Sequence, residues 1–219
     1  LTGKEKYCLR LSEIRFDKRK AVGILQIGIP SAFQYSLFAF ANLFVQSSVN
    51  SFDHVLVEGN SAAANADPLV YDMMAAFYTA CSSFIAQNFG ARKKKRILQT
   101  YLICLFYSFI TSLVLGVGIY LARYPFLYLF TSDKAVVEAG ITRLSIMALS
   151  YSASAFMDAS IAASRGLGKT AVPTFVVVMG SCVFRIIWIY TIFAYFHTIQ
   201  SLYILYVFSW GITAIAENI

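Results

Sequence analysis

The chain has 219 residues, of which 58% are hydrophobic and only 13% charged, and its formal net charge is +7. A soluble domain averages about 45–50% apolar and about 25% charged residues, and one of this size has no interior able to hide the excess. The composition excludes an ordinary water-soluble fold, and it excludes nucleic-acid binding too, because the basic residues fall between apolar runs and form no stripe interleaved with aromatics.

Residues 1–22 form a basic segment with Lys4, Lys6, Arg10, Arg15, Lys18, Arg19 and Lys20. The apolar run behind it is too long for a signal peptide and carries Gln34, Asn42 and Gln46. The segment therefore reads as a cytoplasmic loop. Because the chain starts at Leu1 and not at Met, a fragment of a longer polypeptide is expected.

Crossing about 30 Å of hydrocarbon takes about 20 helical residues. Six stretches within residues 23–219 qualify: 24–49, 68–89, 97–122, 141–164, 171–196 and 202–219. Helices are expected because backbone polar groups in lipid must be paired within the segment, and no alternating ten-residue pattern of a barrel occurs. The predicted fold class is an all-α integral membrane bundle of six transmembrane helices.

Loop charge orients the bundle. The N-terminal segment is basic, as are Arg92–Arg96 and the turn with Arg165 and Lys169. Ser51–Asn60 and His197–Ser201 hold no Lys or Arg, and Tyr124–Gly140 holds only Lys134. The positive-inside rule makes the basic loops cytoplasmic, in a multi-pass protein of the plasma (inner) membrane. Tyr124–Thr131 is aromatic-rich and suits the outer interface, and Asp133 is placed to cap the next helix.

Polar residues inside these spans carry the functional signal. Gln34, Asn42, Gln46 and Asn50 are spaced in multiples of four, so they share one helix side. Two readings stay open for this ladder, namely interhelical hydrogen bonding and the wall of a polar cavity. Asp72 and Asp158 are intramembrane carboxylates, which usually face a cavity or a partner and often handle ions. Asp67 reads as a helix cap at the interface. Arg185 lies deep in the fifth span at a depth close to that of Asp72, so an Asp72–Arg185 pair is expected.

The four cysteines Cys8, Cys81, Cys104 and Cys182 are isolated and read as small apolar residues, and His54 and His197 have no ligand-spaced partner. No metal site is expected. Arg165-Gly166-Leu167-Gly168-Lys169-Thr170 lacks the first glycine and the preceding strand of a P-loop, and reads as a turn with Arg165 and Lys169 at headgroups. No nucleophile–base pair appears, and an enzyme is not expected.

Several short motifs, in order, resemble the multidrug and toxic compound extrusion (MATE) family. They are Gly28-Ile29-Pro30 opening a span, Val45-Gln46 and Asn50-Ser51-Phe52 at its far end, and Gly59-Asn60-Ser61-Ala62-Ala63. Gln87-Asn88-Phe89-Gly90-Ala91, Arg165-Gly166-Leu167-Gly168 and Arg185 complete the set. The resemblance implies a twelve-helix transporter of two lobes related by an axis along the membrane normal, of which this chain is the second. It implies secondary active efflux of cationic or amphipathic compounds driven by inward Na⁺ or H⁺, with no other cofactor. The implied partners are the lipid bilayer, small organic cations and other xenobiotics, and the N-terminal lobe of the same polypeptide. Relatives often carry an acid near Asp158, whereas the first span here offers only amides where some members have a carboxylate. Candidate cavity residues are thus Gln34, Asn42, Gln46, Asn50, Asp72, Asp158 and Arg185. The alternatives are a flippase of lipid-linked saccharides, whose cavity is expected to be strongly basic, and a non-transporting receptor or scaffold.

Overall fold

The computed structural model describes residues 15–218, so Lys4, Lys6, Arg10, Cys8 and Ile219 lie outside the described residues. The described residues form eight helices and no strand: α1 (Lys18–Val49), α2 (His54–Ala64), α3 (Ala66–Gly90), α4 (Lys94–Leu121), α5 (Arg123–Tyr128), α6 (Lys134–Gly166), α7 (Ala171–Phe196) and α8 (Ile199–Glu217). Six helical segments are long and apolar enough to cross a membrane, α2 and α3 together counting as one. α1 starts at Lys18, so the last basic residues before the first apolar run are already helical.

Local chemistry sets the helix ends. Asp17 accepts the Arg19 and Lys20 amides at the start of α1, and Asp53 accepts the Leu56 amide at the start of α2. Asp133 accepts the Ala135 amide and caps α6, as its position in the sequence indicates. Gly168 (φ 77°) takes the left-handed conformation that turns the chain from α6 into α7. His197 takes the same conformation (φ 50°) at the end of α7.

The Ser51–Asn60 segment, expected as a loop, is corrected by the structure: it is helical from His54 onward. α2 and α3 meet at Asn65, whose side-chain NH₂ donates to the Ser61 and Ala62 carbonyls. α7 also departs from a plain α-helix, with π-helical turns at Val178–Val183 and Ile189–Phe193. Such wide turns are frequent at functional sites, and Arg185 lies between these two.

α6 is the central staff of the bundle, packed against α2, α3, α4, α5 and α8. Small residues permit the close contacts. A methyl group on Gly116 of α4 would overlap the Ala148 carbonyl of α6, and one on Gly59 of α2 would meet Ala139 and Gly140. The outside is apolar: Leu98, Leu102, Phe106, Ile110, Val114 and Leu121 on α4 are all exposed. The inside holds Arg143, Arg185, Gln34, Asn60 and buried serines. Apolar residues outside and polar ones within is the arrangement that lipid imposes on a helical bundle.

The bundle has two unlike ends. One gathers the start of α1, Arg92–Arg96 and the α6–α7 turn, and is termed the basic end. The other gathers α2, α5 and the starts of α6 and α8.

Candidate functional site: a central polar cavity

A cavity of about 230 Å³ opens in the middle of the bundle, between Asp67 near the start of α3 and Arg165 near the end of α6. α1 supplies Gln34, Tyr35, Phe38 and Asn42; α3 supplies Asp67, Tyr71 and Tyr78; α6 supplies Met147, Met157, Asp158, Ile161 and Arg165. Val177 of α7 and Tyr206 and Trp210 of α8 close it. The wall is mostly apolar and aromatic with a few convergent polar groups, the usual make-up of a small-molecule site.

Helical periodicity explains which residues turn inward. On α3, Asp67, Tyr71, Met74 and Tyr78 recur at three- and four-residue steps and face the core. On α6, Tyr151, Ser154, Asp158 and Arg165 share one face in the same way.

Two rungs of the amide ladder reach the cavity as anchors for arginines. Gln34 is buried, and its Oε1 accepts from Arg165 Nη2 (3.0 Å) and Thr174 Oγ1 (3.2 Å). Asn42 Oδ1 accepts from Arg185 Nη1 at 2.6 Å. The other two rungs pair with each other, Gln46 donating to Asn50 Oδ1 at 2.9 Å. Gln46 lines a second cavity of about 310 Å³ toward the opposite end, and Asn50 is exposed. Gln34 and Asn42 thus combine interhelical hydrogen bonds with a place in the cavity wall, whereas the Gln46–Asn50 bond lies within α1.

Asp158 faces the central cavity, and its carboxylate has no hydrogen-bond partner among the described residues. The charge bearing on it is that of Arg165, two turns further along α6. Arg165 does not lie among headgroups, contrary to the expectation from its place in the turn. Its Nη1 donates to the Tyr78 hydroxyl at 2.6 Å, and its guanidinium rests near the rings of Tyr35 and Tyr78.

Asp72 and Arg185 form no pair. Asp72 is exposed and lines neither cavity, whereas Arg185 is fully buried and bonded to Asn42 and Ser209. Helical phase keeps them apart: Asp72 follows the core-facing Asp67 by five residues, about 140° around α3. Arg185 is instead held between the rings of Phe38 and Tyr206, each 4.5 Å from the guanidinium carbon.

The carboxylate that does find an arginine is Asp67. Its Oδ2 lies 2.5 Å from Arg143 Nη2, and its Oδ1 accepts the Tyr151 hydroxyl. Arg143 also donates to Asn60 Oδ1 at 2.6 Å. Asp67 is therefore not a cap, and α3 has no side-chain cap bond at its start. Sequence reasoning passed over Arg143 and Tyr151. The signal that could have found them is the face on α6 that they share with Ser154, Asp158 and Arg165. Among the described residues no group of three or more His, Cys, Asp or Glu is placed to hold a metal ion.

The MatE family signature matches residues 30–191, most of the chain and all of the cavity except its α8 wall. The chain belongs to the MatE family. Solved MatE structures show the same lobe. The bent form of the Vibrio cholerae MATE transporter VcmN superposes with a TM-score of 0.82 at 18% identity, over 93% of this chain and 46% of that one. An outward-facing multidrug resistance MATE transporter of the MOP superfamily gives 0.83 at 20% identity, over 94% and 47%. A MOP superfamily transporter from Pyrococcus furiosus, described as having a binding pocket of reverse polarity, gives 0.72 at 19% identity, over 90% and 43%. At these identities the likeness shows the fold alone. No curated protein sequence gives a significant match. The chain spans about half the length of these solved MatE transporters, so its six membrane helices have the extent of one lobe.

Proposed function

We propose that this chain is the second six-helix lobe of a MatE secondary active transporter that exports cationic or amphipathic compounds in exchange for inward Na⁺ or H⁺. The lobe sits in the plasma (inner) membrane with the basic end cytoplasmic, and alternating access arises between it and the other lobe of the same polypeptide. One observation carries the reading: the Asp158 carboxylate stands in a semi-enclosed, aromatic-walled cavity with no hydrogen-bond partner among the described residues. A carboxylate withdrawn from water needs a cation, either a proton, a metal ion or the charged group of a substrate. The rings of Tyr35, Phe38, Tyr71, Tyr206 and Trp210 offer the faces that organic cations favour. With Asp67 paired to Arg143, the carboxylate left without an ion pair in the lining is Asp158, and it supports cation handling over a flippase of lipid-linked saccharides.

The test is ethidium efflux from vesicles carrying the full-length protein, with Na⁺ or pH gradients imposed. Efflux is expected to follow one of the two gradients, and gradient-independent efflux rules out antiport. Asp158→Asn is expected to cut gradient-driven efflux at least about tenfold, the factor that about 1.4 kcal/mol of lost ion binding represents. Unchanged coupling removes Asp158 from the mechanism.

A further inference from the structure

The central cavity does not reach the far end of the bundle. Beyond it lies the second cavity, walled by Val45, Gln46 and Val49 of α1, Asn60 of α2, Arg143 of α6 and Tyr203 of α8. Three side chains line both spaces: Asn42, Asp67 and Tyr206. Asn42 carries no titrating group and is tied to Arg185. Tyr206 belongs to the aromatic packing around Arg185 and Trp210. Among the described residues Asp67 is thus the only carboxylate in the partition between the two cavities, and it touches both.

Its surroundings suit a group that changes charge without collapse of the site. Arg143 is held in three ways: by Asp67, by Asn60 of α2 at 2.6 Å, and by the Tyr203 ring 5.9 Å from its guanidinium carbon. Loss of the negative charge on Asp67 leaves the other two contacts in place. Tyr151 holds the second carboxylate oxygen and packs edge-on against Tyr71, so the carboxyl keeps its position in either state. The other titratable or charged groups around this point are Tyr71 on α3 and Tyr203 and Tyr206 on α8, with Tyr35, Tyr78, Asp158 and Arg165 further along the central cavity. On the side of the second cavity α1 and α2 contribute only the amides of Asn42, Gln46 and Asn60.

We infer that Asp67 is the proton-transfer group between the two cavities, with Arg143 as its exchangeable counter-ion. This rests on the transporter reading above and narrows its coupling ion to H⁺. A proton from water in the cavity near Gln46 adds to Asp67 Oδ2, displacing the Arg143 N–H and giving a neutral carboxyl. The carboxyl then releases that proton to water in the central cavity, and the freed carboxylate takes Arg143 back. No electron pair leaves the site, and one proton enters for each that departs. Asp158 is the acceptor on the far side. It lies seven residues beyond Tyr151 on α6, about 10 Å along the axis, and the intervening cavity of about 230 Å³ has room for several bridging waters.

The full-length protein in liposomes, with ethidium efflux and interior pH followed together, tests the proposal. Wild type is expected to take up protons as ethidium leaves under an imposed pH gradient. Asp67→Asn, which keeps the shape but cannot carry a proton, is expected to lose that proton uptake, and Asp67→Glu to retain it. Proton entry in step with ethidium exit in Asp67→Asn overturns the proposal. If Asp67→Asn carries no ethidium at all, Arg143→Gln decides: with no guanidinium to displace, proton-driven efflux must persist to higher pH than in wild type. An unshifted pH profile overturns the proposal. Wild-type efflux that follows Na⁺ and ignores the pH gradient also overturns it but leaves the transporter reading standing, whereas efflux that follows neither gradient removes that reading as well.

Discussion

Arg185 is a full positive charge with no exposed surface, set between two π-helical turns and two aromatic faces. Its Nε donates to Ser209, Nη1 to Asn42, and Nη2 has no partner among the described residues. A planar guanidinium suits this slot because it can stack on both faces while its edge bonds to two helices, which a lysine ammonium cannot do. Arg185→Ala empties a large buried volume and orphans the Asn42 amide, so a loss of about 2–5 kcal/mol is expected. Arg185→Lys is expected to recover little of it. The thermal midpoint of the purified full-length protein in detergent measures both, and a lysine variant as stable as wild type would remove the stacking argument. Legibility at this scale followed from what spacing encodes. Gln34 and Asn42 were readable because multiples of four keep one helix face, and Asp158 because a carboxylate in an apolar span is conspicuous. Arg165 and Arg143 were not, since both lie near span ends where lipid headgroups and a protein interior are equally reachable for a long side chain. Only the positions of Gln34, Tyr78 and Asp67 in three dimensions choose between them.

Helix packing in this bundle depends on small residues at particular heights. Gly116 and Gly118 are neighbours on α4, yet a methyl on Gly116 would overlap the Ala148 carbonyl and one on Gly118 meets nothing within 4 Å. Without a hydrophobic force between helices in lipid, close backbone approach is a main source of packing energy. Gly116→Ala is expected to push α4 off α6 and cost about 1–3 kcal/mol, the usual range for overpacking. Gly118→Ala is expected to be neutral or slightly stabilising, since alanine is the better helix former. A detergent melt comparing the two discriminates, and equal midpoints would show that α4 is not fixed at this contact. The six spans themselves were plain in the sequence, because a run of about 20 apolar residues matches the thickness of the hydrocarbon core and exceeds what a buried soluble helix needs. α2 was not, since Ser51–Asn60 is too short and polar to register as a span, and its helicity rests on the Asp53 cap and on packing of Gly59 against α6. The π-helical turns of α7 were also invisible, because a shift of each hydrogen bond by one residue leaves composition and mean periodicity nearly unchanged.

The described residues are asymmetric in charge along the long axis of the bundle, and this bears on how it is oriented in the membrane. The basic end carries Lys18, Arg19 and Lys20, then Arg92–Arg96, then Lys169. The other end carries Asp53, Glu58, Asp133 and Glu138 against Arg123 and Lys134. Each basic residue near an anionic leaflet contributes roughly 1 kcal/mol, so this difference is large enough to set orientation. With the basic end inside, the cavity beside Gln46 lies on the outer side of Asp67 and the cavity of Asp158 on the inner side, so an inward proton meets Asp67 first. Single cysteines in a cysteine-free background test the premise directly. Ser51→Cys and Lys93→Cys both sit at exposed positions at opposite ends. On intact cells a membrane-impermeant maleimide is expected to label Ser51→Cys at once and Lys93→Cys only after permeabilisation. The reverse pattern would invert the lobe, put the Asp158 cavity outside, and require the proton to cross Asp67 from the other face.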